Sequence, residues 1–499
     1  MSAVRSNIFA NAAGNAVGLL VLLGAVPIYL NTLGPEAYGL VGLFSALTAA
    51  SLSLDFGLGF TINREMARLS VGEPKPEDAD AVTTLHAACW VIGGGLGAAV
   101  VVVAPSLATS WLSFSRLSTG DVTRSLRLMG GAVALLVARN FYLAALNGLQ
   151  RQGLANLCQA GGLAARALAT VLALVFIGAR PLVFFTTQLA LLVAETAMAA
   201  ATLRRVMPVA ARGGRVGLAA IRQRVGFGAG VTGTMVLALA LTYMDQAILS
   251  RALPLSEFGY YTLACAMAGA LGYAVQPVTT AVYPRLSQLV EQRDTAAVSH
   301  AYHVFSQVVA VLVLPVGLVM TCFPHEVLEL WTRNAEAARG AAAVLSLRSL
   351  GMSINALMHV PHVLQLAFGW SSLGAAVNAV ALVVVTPATI ALAVRYGGVG
   401  AAAVWVGLNV GYLVLGMGRM HRRLLVGERA RWYAGTLLPA AAVAAVVLAS
   451  RLTMPEALPP AATLAWLGLT ATVAGLAALA SAPAARAPWQ RATARWRSR

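Results

Sequence analysis

The chain is 499 residues long, 59% hydrophobic and only 11% charged. A soluble domain carries about 25% charged residues, so a surface solvated on all sides is excluded and an integral membrane protein is expected. The formal net charge of +17 is accounted for by topology-setting arginine in loops that meet anionic lipid, and nucleic acid is not an expected partner.

Apolar runs of about 20 residues, the length of a bilayer-crossing helix, recur throughout. Fourteen are predicted, starting near residues 9, 38, 82, 126, 154, 181, 226, 257, 303, 338, 370, 398, 433 and 462. The predicted fold is therefore an all-α polytopic membrane protein. The first two runs, Phe9–Leu30 and Tyr38–Leu54, are joined by the turn Asn31-Thr32-Leu33-Gly34-Pro35-Glu36-Ala37. The second continues into Asp55-Phe56-Gly57-Leu58-Gly59 and leaves through Asn63-Arg64-Glu65-Met66-Ala67-Arg68. The eighth is interrupted by Gln276-Pro277.

Arginine placement sets the orientation. With a cytoplasmic N-terminus, the cytoplasmic segments hold Arg5, Arg64, Arg68, Lys75 and Arg151, the group from Arg204 to Arg224, Arg285, Arg293, the group from Arg419 to Arg431, and the tail from Arg486 to Arg499. Fewer basic residues fall on the other side, among them Arg116, Arg180, Arg251, Arg333 and Arg395. The positive-inside rule then puts both termini in the cytoplasm. The first helix is a poor signal peptide, because its basic start is Arg5 alone and no small-residue cleavage site follows. The expected organisation is a six-helix lobe over 1–205, a basic linker over 206–225, a second six-helix lobe over 226–418, a basic loop over 419–432, two further helices over 433–481 and a basic tail over 482–499.

The two lobes echo each other. Leu33…Tyr38-Gly39 reappears as Leu253…Phe258-Gly259, 220 residues on, and Leu43, Ala46 and Leu69 meet Leu263, Ala266 and Leu289. Arg64 falls one residue from Arg285, Leu149-Gln150 echoes Leu364-Gln365, and Gly178 matches Gly398. Six helices per copy make the repeat parallel, with a polar pathway expected between the halves.

Several chemistries are absent. With Lys75 as the only lysine, no phosphate-binding loop ending in Gly-Lys-Ser/Thr is available. Cys89, Cys158, Cys265 and Cys322 lie in predicted helices without common spacing, which implies neither disulfides nor a metal site. His300/His303 and His359/His362 are spaced i, i+3 without an acidic or cysteine partner, so they read as packing or interfacial residues. Gly93-Gly94-Gly95, Gly97, Gly226, Gly228 and Gly230 suit close helix packing. No catalytic constellation or cofactor motif is present, and an enzyme is not expected.

Ionisable groups inside spans are costly and usually face a cavity or each other. Those predicted are Asp55, Arg139, Arg166, Glu195 and Asp245, with Arg348 near the start of the tenth run and Arg64 and Arg285 at matching exits. Arginine donates paired hydrogen bonds suited to phosphate, so a cavity of Arg139 and Arg166 with Asn140, Asn147 and Gln246 would take an anionic, hydroxyl-rich head group. Pairing of Arg139 or Arg166 with Glu195 as a helix lock is the structural alternative. Asp245, isolated in Val236–Leu249, is the most attractive coupling-ion acid; Asp55 is as well suited to a hydrated or capping role.

The first hairpin, with Pro27, Leu33-Gly34-Pro35-Glu36-Ala37-Tyr38-Gly39, Asp55-Phe56-Gly57-Leu58 and Arg64-Glu65, resembles the start of bacterial polysaccharide flippases of the O-antigen translocase group. Ala145-Leu146-Asn147-Gly148-Leu149-Gln150-Arg151 is similar to that family's signature after the fourth helix, and Asp245-Gln246 with Phe258-Gly259-Tyr260-Tyr261 to its seventh–eighth hairpin. The resemblance spans about residues 5–420 and extends to the superfamily holding the MATE drug exporters and the lipid II flippase. It implies alternating access between two six-helix lobes in a bacterial inner membrane. The implied substrate is a polyprenyl-diphosphate-linked oligosaccharide moved to the outer leaflet, with polysaccharide polymerase and assembly proteins as further partners. A MATE-like exporter of small molecules is the nearest alternative, disfavoured by the embedded arginines. A polytopic glycosyltransferase or ligase is third, disfavoured because the loop Ser106–Val122 offers only Asp121 as an acid.

Overall fold

The computed structural model describes residues 2–51, 57–71, 76–217, 225–456 and 458–485. Among them the regular elements are helical, apart from one isolated bridge between Ser113 and Pro254. The chain divides into two compact units, Met1–Gly259 and Tyr260–Arg499.

Unit 1 holds α1 (Ser2–Leu33), α2 (Pro35–Ser51), α3 (Leu58–Val71), α4 (Pro76–Ser106), α5 (Thr119–Gly148), α6 (Gln152–Asn156), α7 (Gly162–Phe176), α8 (Pro181–Val206), α9 (Val225–Ala252) and the first turn of α10 (Leu255–Gly269). Gly34 at φ 82° stops α1, and Pro35, which needs no helical N–H partner, opens α2. The next residue anchors this turn. Glu36 is buried, and its carboxylate accepts from the backbone N–H groups of Ser115, Arg116 (2.7 Å) and Leu117 (3.0 Å).

Two glycines then allow a close crossing within unit 1. A Cβ on Gly39 would lie 2.3 Å from the Leu255 carbonyl oxygen, and one on Gly259 would lie 2.3 Å from that of Pro35. The contact is reciprocal, since Pro35 and Gly39 are the sequence-repeat partners of Leu255 and Gly259. Gly148 ends α5 in the same way, where a Cβ would meet the Asn63 carbonyl oxygen of α3 at 2.3 Å. Asn63 Nδ2 donates across the same crossing to the Ala144 carbonyl at 3.2 Å. The core of the unit packs Ile62 and Met66 of α3 against Val137, Phe141 and Leu146 of α5 and Ala199 of α8.

Unit 2 continues through α11 (Leu271–Glu291), α12 (Thr295–Cys322), α13 (Pro324–Thr332), α14 (Ala335–Leu357), α15 (His359–Ala367), α16 (Ser371–Gly411), α17 (Met417–Leu424), α18 (Arg429–Thr453) and α19 (Pro460–Ala480). The last two long helices pack on α12: Val443 and Val447 of α18 and Ala474 and Ala478 of α19 join Ala310 and Leu314 in one core. Positive-φ residues occur in both halves, Gln150 and Gly178 in the first and Gly369 and Gly397 in the second.

Eleven helices among the described residues are long and apolar enough to cross a membrane. The predicted count of fourteen is not confirmed among them, and two of the predicted runs, starting near 370 and 398, fall in one segment. That segment, Ser372–Leu424, has 53 residues; at 1.5 Å per residue it is about 80 Å long against about 30 Å of hydrocarbon. It breaks at Gly397 (φ 57°, ψ −140°), where only glycine is comfortable. Its first part exposes Val380, Val383, Val384, Ile390 and Val394, a surface suited to lipid. Asp55, Lys75, Arg222, Arg224 and the tail from residue 486 lie outside the described residues.

One end of unit 2 carries a polar latch. The Glu428 carboxylate accepts from Ser299 Oγ (2.8 Å) and pairs with His303 Nε2 (2.8 Å), while Tyr302 contacts His421 Nε2 at 3.2 Å. Burial alone would raise the Glu428 pKa, but those hydrogen bonds, with the charges of His303 and Arg431, hold it below the usual carboxylate range. A depressed carboxylate contributes stability above its unfolded pKa and loses it as pH falls through the folded one. Thermal unfolding scanned downward from about pH 6 is expected to fall less steeply for Glu428→Gln than for the native chain. Identical slopes would contradict the latch.

Candidate functional site: a buried arginine–glutamate–arginine cluster

Three unit 1 helices bring one acid between two bases. Arg139 comes from α5, Arg166 from α7 and Glu195 from α8, and they are 8%, 7% and 4% exposed. Arg139 Nη1 donates to Glu195 Oε2 at 3.0 Å. Arg166 Nε lies 2.5 Å from Glu195 Oε1, an ion contact without hydrogen-bond alignment. Arg139 Nη2 also donates to Asn140 Oδ1 at 3.3 Å. The glutamate fits because position 162 is glycine: a Cβ there would sit 2.5 Å from Glu195 Cδ. One helical turn beyond Arg166, Thr170 Oγ1 accepts from Gln188 Nε2 at 3.2 Å, extending the polar band along α7 and α8.

Among the described residues the charge does not balance, because two guanidinium groups face one carboxylate. Arg139 Nε and Asn140 Nδ2 are buried without a hydrogen-bond partner. Each buried ion costs several kcal/mol of lost hydration, so an excess positive charge at this depth creates a strong local preference for an anion. Arginine meets phosphate oxygens through parallel donors, which matches the donors left over.

The structure thus joins the two sequence readings of these residues. Arg139 and Arg166 do pair with Glu195, yet one positive charge and its donors remain. Asp245 and Gln246 are buried on α9, where the Asp245 carboxylate accepts from the Gln246 backbone N–H at 2.7 Å. Arg64 and Arg285 are exposed on α3 and α11, the second in unit 2. Among the described residues no group of three His, Cys, Asp or Glu could hold a metal.

Unit 2 has its own buried arginine. Arg348 of α14 is 5% exposed, with its guanidinium carbon 4.7 Å from the Trp405 ring centre and 5.9 Å from that of Tyr261. Aromatic faces favour a desolvated guanidinium by about 2 kcal/mol. Gly351 admits the indole, since a Cβ there would lie 2.5 Å from Trp405 Cδ1. Sequence reasoning noted Arg348 but not its aromatic sandwich, because the three residues lie far apart in the chain.

A family model described as polysaccharide biosynthesis protein matches residues 4–290. The chain belongs to that family. Within it and beyond, the relatives are distant in sequence. A Shigella flexneri protein whose assigned role is O-antigen transport is 21% identical over 411 residues, covering 81% of this chain and 94% of that one. The lipid II flippase MurJ, in an inward closed conformation, superposes with a TM-score of 0.73 at 12% identity, covering 95% of this chain and 98% of MurJ. An inward-facing MATE multidrug resistance transporter of the MOP superfamily gives 0.68 at 14% identity, covering 81% and 95%. This polysaccharide biosynthesis protein therefore has the fold of the MOP superfamily, as its first hairpin suggested.

Proposed function

We propose that the protein is a flippase that moves a polyprenyl-diphosphate-linked oligosaccharide from the cytoplasmic to the outer leaflet of the bacterial inner membrane. The observation that carries this reading is the net-positive Arg139–Glu195–Arg166 cluster buried inside a transporter fold. A diphosphate cannot cross hydrocarbon unaided, whereas its lipid tail stays in it. A buried cluster with spare guanidinium donors receives the diphosphate as it leaves water. The same excess charge opposes a MATE-like exporter of cations. The lobes over 1–205 and 226–418 are the moving parts, both termini are cytoplasmic, and Asp245 is the acid best suited to a coupling ion. No catalytic step is assigned, and polymerase and assembly proteins are the partners that consume the product.

Deleting the gene in its own bacterium tests this reading. The expected result is accumulation of lipid-linked oligosaccharide in the cytoplasmic leaflet with loss of surface polysaccharide. Unchanged surface polysaccharide would refute it.

A further inference from the structure

Unit 2 contains a separate cavity of about 220 Å³ between α15, the start of α16 and the helical segment that follows Gly411. It is lined by Asn355, His359, His362, Gln365, Asn378 and Tyr412. Two of these amides are held in place: Asn355 Nδ2 donates to Asn409 Oδ1 at 2.7 Å, and Tyr412 OH donates to Asn378 Oδ1 at 2.9 Å. The remaining walls include Leu373, Val377 and Met417, which are apolar.

The lining selects a ligand class by elimination. Among the described residues no carboxylate lines the cavity, so it does not suit a cation, and no arginine or lysine lines it, so it does not suit a phosphate. Amides, a phenol and imidazoles offer donors and acceptors together, beside an apolar wall. Such a mixture fits a neutral ring with hydroxyl groups on its edge and C–H groups on its face. The volume lies below the roughly 300–1,000 Å³ of drug-sized sites, which limits the occupant to about one ring. The histidines at i, i+3 fall on one helix face and both contribute to the wall.

We propose that this cavity is a subsite for one neutral sugar ring of the lipid-linked substrate, separate from the arginine cluster that receives the diphosphate. The inference rests on the flippase reading. A glycerol-bearing lipid headgroup shares the same neutral polyol chemistry and is the competing source.

The test uses the full chain in nanodiscs. Binding of bare undecaprenyl diphosphate is compared with that of undecaprenyl diphosphate carrying one glucose, galactose, N-acetylglucosamine or N-acetylgalactosamine. At least one glycosylated lipid is expected to bind about tenfold more tightly than the bare one, the value of one or two net hydrogen bonds. Asn378→Leu is expected to erase that difference while bare-lipid affinity stays. Tyr412→Phe, which keeps the ring, is expected to shrink it. Equal binding of bare and glycosylated lipids by the native chain would overturn the subsite, as would a difference that survives both substitutions. Equal binding of bare and glycosylated lipids together with Asn378-dependent retention of phosphatidylglycerol would assign the cavity to the lipid glycerol and overturn the sugar. Failure of the native chain to bind any diphosphate lipid would instead bring down the flippase reading beneath it.

Discussion

Glu195→Ala is expected to destabilise unit 1 by about 3–5 kcal/mol, because it leaves two buried guanidinium groups facing each other without their shared carboxylate. Arg139→Met and Arg166→Met are expected to cost less, since each leaves an arginine–glutamate pair at 3.0 Å or 2.5 Å. The three positions act as a unit, so their effects should not add. Adding both arginine substitutions to Glu195→Ala removes every charge of the cluster and is expected to recover much of the loss. Thermal unfolding of the four variants in one detergent checks this. A Glu195→Ala protein as stable as either single arginine variant would show that the three charges are not coupled.

The second large effect is steric. Gly39→Val and Gly259→Val each drive a Cβ to within 2.3 Å of a backbone oxygen across the same crossing, and a backbone carbonyl cannot swing aside as a side chain can. Each is expected to cost about 1–3 kcal/mol from overpacking, with similar penalties because the contact is reciprocal. Gly24→Ala, with nothing within 4 Å of the added atom, should stay within about 0.5 kcal/mol of the native chain. Tolerance of valine at both crossing glycines, read as unchanged melting temperature and unchanged yield in the membrane fraction, would contradict the geometry.

These two expectations explain what was readable in the sequence. The family signatures are backbone requirements. Glu36 ties down three amides, Gly39 and Gly259 permit a backbone crossing, and Gly148 permits another. Such residues are visible in a sequence because few other types satisfy them, so the class of fold could be read early. Arg139, Arg166 and Glu195 were visible for another reason: an ionisable group in an apolar run has few innocent explanations. Their common location was not visible, because positions 139, 166 and 195 converge only through the packing of α5, α7 and α8. The polar cavity of unit 2 was harder still. Asn355, Asn378 and Tyr412 are ordinary in helices, and the His359/His362 pair lacked the acid that would have marked a metal or catalytic site. The break at Gly397 was legible, since the runs starting near 370 and 398 divide there, although the glycine turns the chain without a polar loop.

The central claim is that the surplus positive charge beside Glu195 serves transport as well as packing. Its most direct test measures transbilayer movement of a labelled polyprenyl-diphosphate oligosaccharide in proteoliposomes, with the native chain, Arg139→Met and Arg166→Met at matched insertion and under proton, sodium or voltage gradients. The native chain is predicted to redistribute the lipid between leaflets, and each variant to do so at least about tenfold more slowly, as expected for the loss of one charge-assisted contact. Native rates in both variants, or no redistribution by the native chain under any of the gradients, would contradict the account.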